Sequence, residues 1–463
     1  MSQTEQYDAI LIGAGQANGP LATTLARAGW EVALIEQKHV GGTCINEGCT
    51  PTKTMIASAR VAHLARRAAD YGVHTGPVTL DMEKVRQRKR DIVTSFRAGS
   101  RRRVENTEGV DLLMGQARFT GPKTVKVALN QGGIRHLTAD NIFINVGQRP
   151  RKPDLPGLDG VPYFDSTSIM ELGEVPEHLM VVGGGYVGVE FGQMFRRFGS
   201  QVTIVQRSGQ LLSREDADVA EEVAKILRED GIDVLLDTDT VQVEQDAGGQ
   251  ILLTVSAPDG ERTLAGSHLL LAAGRVPNVE HLDLDVAGIE TTTRGDIKVN
   301  ERLETNVPGI YALGDVKGGP AFTHIAYDDF RIVRTNILEG GDATTENRLV
   351  PYTVFIDPQL GGIGLTEKQA RRRGVEIKIA KMPMSYVARA LEVDEPRGMM
   401  KAIVDADTDQ IVGAAILGME GGEVVSALQL AMMGDVPYTV LRDAVFAHPT
   451  LIESLNNLFA TLE

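Results

Sequence analysis

Apolar positions along this chain gather in short unbroken runs that end in glycines. Ala9-Ile10-Leu11-Ile12 leads into Gly13-Ala14-Gly15-Gln16-Ala17-Asn18-Gly19, then a stretch of helical character, then Val32-Ala33-Leu34-Ile35-Glu36. A second segment repeats the pattern: Leu179-Met180-Val181-Val182, then Gly183-Gly184-Gly185-Tyr186-Val187-Gly188, a helical stretch, and Val202-Thr203-Ile204-Val205-Gln206. In both, the residue at the tip of the second strand follows the first glycine by 23 positions (13 to 36, 183 to 206). One glycine motif is weak evidence. Two in matched strand, turn, helix, strand settings predict two βαβ dinucleotide-binding units.

The rest of the pattern sets the boundaries. Pro150, Pro153, Pro156 and Gly157 mark a linker after the first unit. Around Ala272-Ala273-Gly274-Arg275-Val276-Pro277-Asn278 the chain is expected to return to that first unit. From about 347 onward the pattern changes to short strands, such as 353–356 and 401–404, followed by helices. The fold class expected is α/β: two Rossmann-like domains plus a C-terminal α+β domain. The domains read as 1–148 and 274–346 (first domain, in two parts), 149–273 (second) and 347–463 (third). The arginine-rich stretch 84–103 interleaves its charges with Val85, Ile92, Val93 and Phe96 at near-helical spacing, which predicts a solvated helix face.

Length agrees with this division, since 463 residues exceed what a single hydrophobic core holds. The formal net charge of -15 argues against nucleic acid or anionic membrane as a general partner. No basic segment followed by an apolar core opens the chain, and no apolar run approaches the roughly 18 residues of a spanning helix, so neither a secretory signal nor a membrane span is expected. The two cysteines lie five positions apart, whereas a disulfide scaffold would use more, spread along the chain. The pair reads as redox-active in a reducing compartment, so the cytoplasm is the expected location.

Two sites follow from chemistry at these positions. Gly13 and Gly15 let backbone approach a pyrophosphate at a helix N-terminus, and Glu36 suits an adenosine ribose. The third glycine of the usual motif is replaced by Asn18, which implies a small local adjustment of helix against strand. Cys44 and Cys49 lie in Gly41-Gly42-Thr43-Cys44-Ile45-Asn46-Glu47-Gly48-Cys49-Thr50-Pro51-Thr52-Lys53. A regular helix would separate them by about 7.5 Å along its axis, beyond the roughly 7 Å that a disulfide spans between Cα atoms. The segment must therefore be compressed if they bridge, and Gly48 eases that. A helix over 50–65 would place Cys49 at its N-terminus, where a thiolate is stabilised.

With these residues in hand, the chain resembles the pyridine nucleotide-disulfide oxidoreductases, with wording nearest to mercuric-reductase-like members. The likeness extends over essentially the whole chain. It includes Thr305-Asn306-Val307-Pro308-Gly309-Ile310-Tyr311-Ala312-Leu313-Gly314-Asp315 and Ala447-His448-Pro449-Thr450-Leu451-Ile452-Glu453. The resemblance implies an FAD-containing, NAD(P)H-dependent enzyme, active as a homodimer through its last domain. Asp315 would bind the ribityl chain, with Gly42, Thr43 and Gly274 also near the cofactors. Lys53 would sit by flavin N5, paired with Glu190. Gly183, Gly185 and Gly188 would form the second nucleotide turn, and Tyr186 would cover the nicotinamide pocket. His448 would be a general acid/base supplied by the partner subunit and oriented by Glu453, although Thr450-Leu451-Ile452-Glu453 also spells a capping box for the last helix.

The neutral Gln206 at the second strand tip, followed by Arg207 and by Arg214, favours NADPH over NADH. Hydride from NADPH would pass through FAD to the Cys44–Cys49 disulfide, Cys49 facing the flavin and Cys44 meeting the acceptor. A small disulfide is the expected acceptor. A metal ion at the same cysteines is the alternative, although the chain ends Phe459-Ala460-Thr461-Leu462-Glu463 without the cysteine pair that mercuric reductases carry there. A dihydrolipoamide dehydrogenase-type subunit of a larger complex is a further alternative. No dedicated metal site is expected.

Overall fold

A computed structural model describes residues 4–462. It divides into two units: Met1–Thr54, Lys84–Arg151 and Gly274–Arg348 make the first; Met55–Glu83, Lys152–Ala273 and Leu349–Glu463 make the second.

The first unit is built on strand β1 (Thr4–Ile12), which pairs in parallel with β2 (Val32–Glu36) on one side and β5 (Ile134–Ile144) on the other. β3 (Val110–Gly121) continues the parallel sheet beyond β2, and Ile310–Ala312 continues it beyond β5. The far half of β3 returns to β5 through the antiparallel strand β4 (Thr124–Leu129). Unbroken apolar runs suit this arrangement because a parallel sheet is covered on both faces. Ile10, Ile12, Ala33 and Ile35 enter one core, whereas Ala9, Leu11, Val32 and Leu34 enter the other. Helix α1 (Asn18–Arg27) covers the second of these through Leu21, Ala22 and Leu25.

Three helices follow β2: α2 (Gly42–Asn46), α3 (Cys49–Arg66) and α4 (Met82–Glu105). The arginine-rich stretch lies in α4 and is mainly a solvated face, with Phe96 53% exposed rather than packed. Two of its arginines are nonetheless anchors. Arg88 donates to Thr54 O at 2.8 Å, and Arg97 to Asn46 Oδ1 at 2.7 Å.

The second unit contains a four-stranded parallel sheet in the order His268–Leu271, His178–Val182, Gln201–Val205, Asp233–Leu235, with helix Tyr186–Phe198 connecting the middle pair. A three-stranded antiparallel meander, Asp239–Gln245, Ile251–Ala257 and Gly260–Gly266, is inserted between Asp233–Leu235 and His268–Leu271. It also holds a five-stranded antiparallel sheet in the order Tyr352–Val354, Gln359–Gly364, Ile411–Gly418, Met399–Asp405, Ile377–Pro383. Helices Gly421–Met433 and Ser454–Ala460 bury Leu428, Leu455, Leu458 and Phe459 in its core. Among the described residues, no helix is long and apolar enough to cross a membrane.

Candidate active site

The first glycine turn sits where β1, β5 and α1 meet. Gly13 adopts φ +89°, and a Cβ there would come 2.5 Å from Asn145 O, so any larger residue is both strained and obstructed. Glu36, at the tip of β2, accepts from Ala14 N at 2.9 Å and Lys38 N at 2.8 Å, so its carboxylate ties the turn to the strand. Asn18 does more than shift the helix. It is fully buried, and its Nδ2 donates to Ile12 O at 3.2 Å and Phe143 O at 3.0 Å, stapling the ends of β1 and β5. Its Oδ1 is buried without a hydrogen-bond partner. Asn145, which no sequence motif flags, receives Ala17 N and Asn18 N at 3.4 Å and donates to Leu313 O at 2.7 Å.

Gly42 opens α2 with φ +65°, and a Cβ there would lie 2.8 Å from Gly15 Cα. The cysteine segment is thereby pressed against the glycine turn. Asn46 holds α2 closed by donating to Gly42 O at 2.9 Å and Val40 O at 3.2 Å. The helix then breaks at Glu47 and Gly48 before α3 begins at Cys49. The two cysteines therefore stand on separate helices rather than on one continuous helix. Cys44, on α2 beside Thr43, is half-buried, and Cys49 is exposed; both are thiols in this structure. Lys53 lies one turn into α3.

The Cys44 thiol is pushed well above the usual range. Its hydrogen bond with Cys49 is the largest cause, followed by burial and the charge of Cys49, while Thr323 and Lys53 pull the other way. Thr323 is a residue the sequence reading missed. It is the first residue of helix Thr323–Leu338, and its Oγ1 lies 3.4 Å from Cys49 Sγ.

Asp315 occupies a single 3-10 turn, Gly314–Lys317, 3.5 Å from Arg275. Burial raises its pKa, opposed by the charges of Arg275 and Lys317. The turn hangs on Asp329, another residue missed. Asp329 is fully buried and accepts from Gly314 N at 2.8 Å, with Lys317 Nζ at 3.3 Å and Arg348 at 2.7 Å. Gly274, with φ +105°, begins the return of the chain to the first unit, and its carbonyl accepts from Arg151 N at 3.0 Å.

The second glycine turn lies in the second unit and repeats the first. Gly183 has φ +113°, with Ala272 O 2.5 Å from where a Cβ would be, and a Cβ on Gly188 would come closer still to Gly183 O, at 1.8 Å. Gly185 is the N-cap of helix Tyr186–Phe198. Gln206 accepts from Gly184 N at 2.8 Å, the counterpart of Glu36 with Ala14. Arg207 and Arg214 are both exposed. Glu190 is buried in the helix, and its Oε1 accepts from Phe355 N at 2.8 Å. Tyr186 donates to Glu215 at 2.9 Å.

His448 is exposed, and its Nδ1 meets both oxygens of Glu453 at 3.0 Å. The capping-box expectation needs correction here. Thr450 N to Glu453 Oε1 and Glu453 N to Thr450 Oγ1 are both 3.4 Å, but the helix starts only at Ser454 and no side chain caps it. The reciprocal pair closes a turn ahead of the helix, and the same carboxylate also meets His448. Among the described residues, no group of three or more His, Cys, Asp or Glu is arranged to hold a metal ion.

Paired parallel-sheet glycine turns, with a cysteine pair pressed against one of them, define a flavin-type disulfide oxidoreductase. Residues 7–329 match the pyridine nucleotide-disulphide oxidoreductase family, and 350–459 match its dimerisation domain. The chain belongs to the pyridine nucleotide-disulfide oxidoreductase family. It is 39% identical over 462 residues, covering 99% of this chain and 100% of the relative, to a probable pyridine nucleotide-disulfide oxidoreductase, RclA, of Escherichia coli (strain K12). Mercuric reductase of Bacillus cereus is 35% identical over 457 residues, covering 99% of this chain and 72% of that one. Among solved structures, the Cu(II) complex of HOCl-induced flavoprotein disulfide reductase RclA from Escherichia coli superposes with a TM-score of 0.90 at 38% identity, covering 99% and 100% of the two chains. The family identity makes this an oxidoreductase that uses a flavin and a pyridine nucleotide, and its last part is a dimerisation domain.

Proposed function

We propose that the chain takes hydride from NADPH and reduces a small disulfide through Cys44 and Cys49, as a homodimer in the reducing environment of the cytoplasm. The observation that carries this reading is the pair of hydrogen-bonded thiols held by two separate helices against the first glycine turn. FAD, when bound, supplies the two-electron relay between nucleotide and cysteines.

The residues present fit that group. Gly42 packs closely on Gly15 and neither has room for a side chain, which leaves backbone facing backbone beside the N-terminus of α1. Glu36 would face the adenosine ribose, and Asp315, fixed by Asp329 through Gly314, the ribityl chain. Lys53, one turn into α3, would stand by the flavin ring. Gly183, Gly185 and Gly188 would receive the second pyrophosphate. Arg207 and Arg214, beside the neutral Gln206, would accept a 2′-phosphate.

The cysteines then divide the work. Cys44 attacks the acceptor disulfide, forming a mixed disulfide and releasing one thiolate. Cys49 attacks the Cys44 sulfur, releases the second thiolate and closes the Cys44–Cys49 bond. Because burial and Cys49 hold the proton on Cys44, attack requires a base. His448 of the partner subunit suits this role: Glu453 fixes Nδ1 and leaves Nε2 to take the proton from Cys44 and return it to the leaving thiol. Thr323 Oγ1 steadies Cys49 sulfur.

A second reading has its own support. A relative of 38% identity has been solved as a Cu(II) complex, and a mercuric reductase matches over 99% of this chain, so a thiophilic metal ion at Cys44 and Cys49 is the alternative acceptor. Oxidation of NADPH by FAD-loaded protein, followed with lipoamide, glutathione disulfide, Cu(II) and Hg(II) in excess thiol, separates the two. Turnover with one disulfide, lost in Cys44→Ser, supports the first reading. Turnover with metal alone replaces it by the second.

A further inference from the structure

Tyr186 is held by more than packing. Its hydroxyl donates to Glu215 Oε1 at 2.9 Å, while the hydroxyl of Tyr352 donates to Oε2 at 2.6 Å. The two rings lie stacked, with centroids 5.7 Å apart and planes at 19°. Glu215 is only 7% exposed, so a buried carboxylate is gripped on both oxygens by phenols that also touch each other.

The segment carrying Glu215 is fixed. Leu212 N–H donates to Gly184 O at 2.9 Å, and Gln210 Nε2 donates to Glu215 O at 3.2 Å. The next residue, Asp216, accepts from Glu367 N at 2.9 Å and lies 3.1 Å from the buried Lys401. Glu215 is therefore anchored to the glycine turn on one side and to the antiparallel sheet region on the other. It cannot follow Tyr186 if that side chain turns away. A swing of Tyr186 must break one charge-assisted hydrogen bond and one ring stack.

We propose that Glu215 and Tyr352 form a latch that holds Tyr186 in its resting place beside the second glycine turn, and so set how much nucleotide is needed to fill the site. This rests on the reading of Tyr186 as the cover of the nicotinamide pocket. Glu215 and Tyr352 are positioning residues here, acting through Tyr186. When only the unlatched fraction binds, the apparent dissociation constant is the intrinsic one divided by that fraction. A hydrogen bond to a charged acceptor is about twice as strong as a neutral one, so weakening the latch shifts that fraction on the order of five- to tenfold.

The test uses FAD-loaded dimeric protein and two variants, Glu215→Gln and Tyr352→Leu. The amide keeps the shape and loses the charge, and leucine removes both the stack and a donor. Calorimetric titration with NADP+ gives affinity without turnover. Anaerobic rapid mixing with NADPH gives the half-saturating concentration and the limiting rate of flavin bleaching. The latch predicts a dissociation constant and half-saturating concentration lower by about five- to tenfold in at least one folded variant, with an unchanged limiting rate. Lowered melting temperatures with unchanged nucleotide affinity would make the cluster merely structural and overturn the latch. A weaker affinity, or a lower limiting rate at unchanged affinity, would overturn it as well. If the unsubstituted protein neither binds NADP+ or NAD+ nor bleaches with NADPH or NADH, the nucleotide reading itself falls, a pattern distinct from any variant-specific result.

Discussion

Asp329→Ala removes a carboxylate that no solvent can replace. Asp329 is fully buried, with Lys317 3.3 Å from one oxygen and Arg348 2.7 Å from the other. Those cations are themselves 7% and 13% exposed. Arg348 retains Asp328 at 3.2 Å, whereas Lys317 is left facing the space where its counter-ion stood. Breaking a buried pair from one side costs about 3–5 kcal/mol, a large share of the 5–15 kcal/mol that typically separates folded from unfolded protein. The same substitution strips Gly314 N–H of its acceptor and so frees the turn that carries Asp315. If about 3 kcal/mol of that strain falls on the flavin-loaded state, FAD affinity drops roughly a hundredfold. Flavin fluorescence during dilution and urea titration reads both effects, since released FAD brightens. Asp329→Asn, which keeps an acceptor and loses the charge, should fall between. An alanine variant that holds FAD as tightly as the parent and unfolds at the same urea concentration would refute this reasoning.

Other outcomes follow from the same geometry. Cys44→Ser should abolish disulfide turnover while NADPH still bleaches the flavin in a single rapid phase; retained turnover would exclude Cys44 as the exchange thiol. Glu453→Gln should lower kcat/KM for the disulfide by about tenfold or more and leave flavin bleaching untouched, because only the orientation of His448 changes. Thr323→Val should slow alkylation of Cys44 at neutral pH about threefold or more, since the lost hydrogen bond was lowering that thiol's pKa; an unchanged alkylation profile would dismiss the contact. His63, held at a pKa of about 4 mainly by burial, has a lower pKa folded than unfolded, so the unfolded chain binds its proton first as pH falls. Its contribution is complete above about pH 6.5 and is lost toward pH 4; with screening at this partly exposed site, about 1 kcal/mol should vanish between pH 7 and 5, and His63→Gln should flatten that slope in urea titrations.

The parts of the site that were legible in the sequence are those written in neighbouring residues. Both glycine turns, the cysteine segment and the His448–Glu453 pair are local motifs, and each element formed where its run of residues placed it. What escaped was apposition. Thr323 reaches Cys49 across 274 positions, and Asn145 reaches Leu313 across 168. Neither residue carries a local pattern, because a lone threonine or asparagine at a strand or helix end is ordinary turn chemistry. Asp329 was hidden for another reason: a carboxylate in a helix reads as surface until the two cations around it are seen. Asn18 looked like a weakened motif, yet only its buried amide shows that it trades a missing glycine for two strand-end hydrogen bonds. The capping-box pattern misplaced only the helix start: its two reciprocal bonds form, and the carboxylate meets His448 as well, but they close a turn and the helix begins at Ser454.

The strand-tip residues have one more implication. Glu36 and Gln206 each offer a side-chain oxygen to the backbone of their own glycine turn, and an amide serves that bond as well as a carboxylate. The two tips are not equivalent, however: Gln206 Nε2 also donates to Ser208 Oγ and to Gln210 O at 3.3 Å, bonds that a carboxylate cannot make. A glutamate at 206 would keep the bond from Gly184 N–H and give up the bonds to the loop at 208–210, so the charge at this tip is coupled to the shape of the loop that follows it.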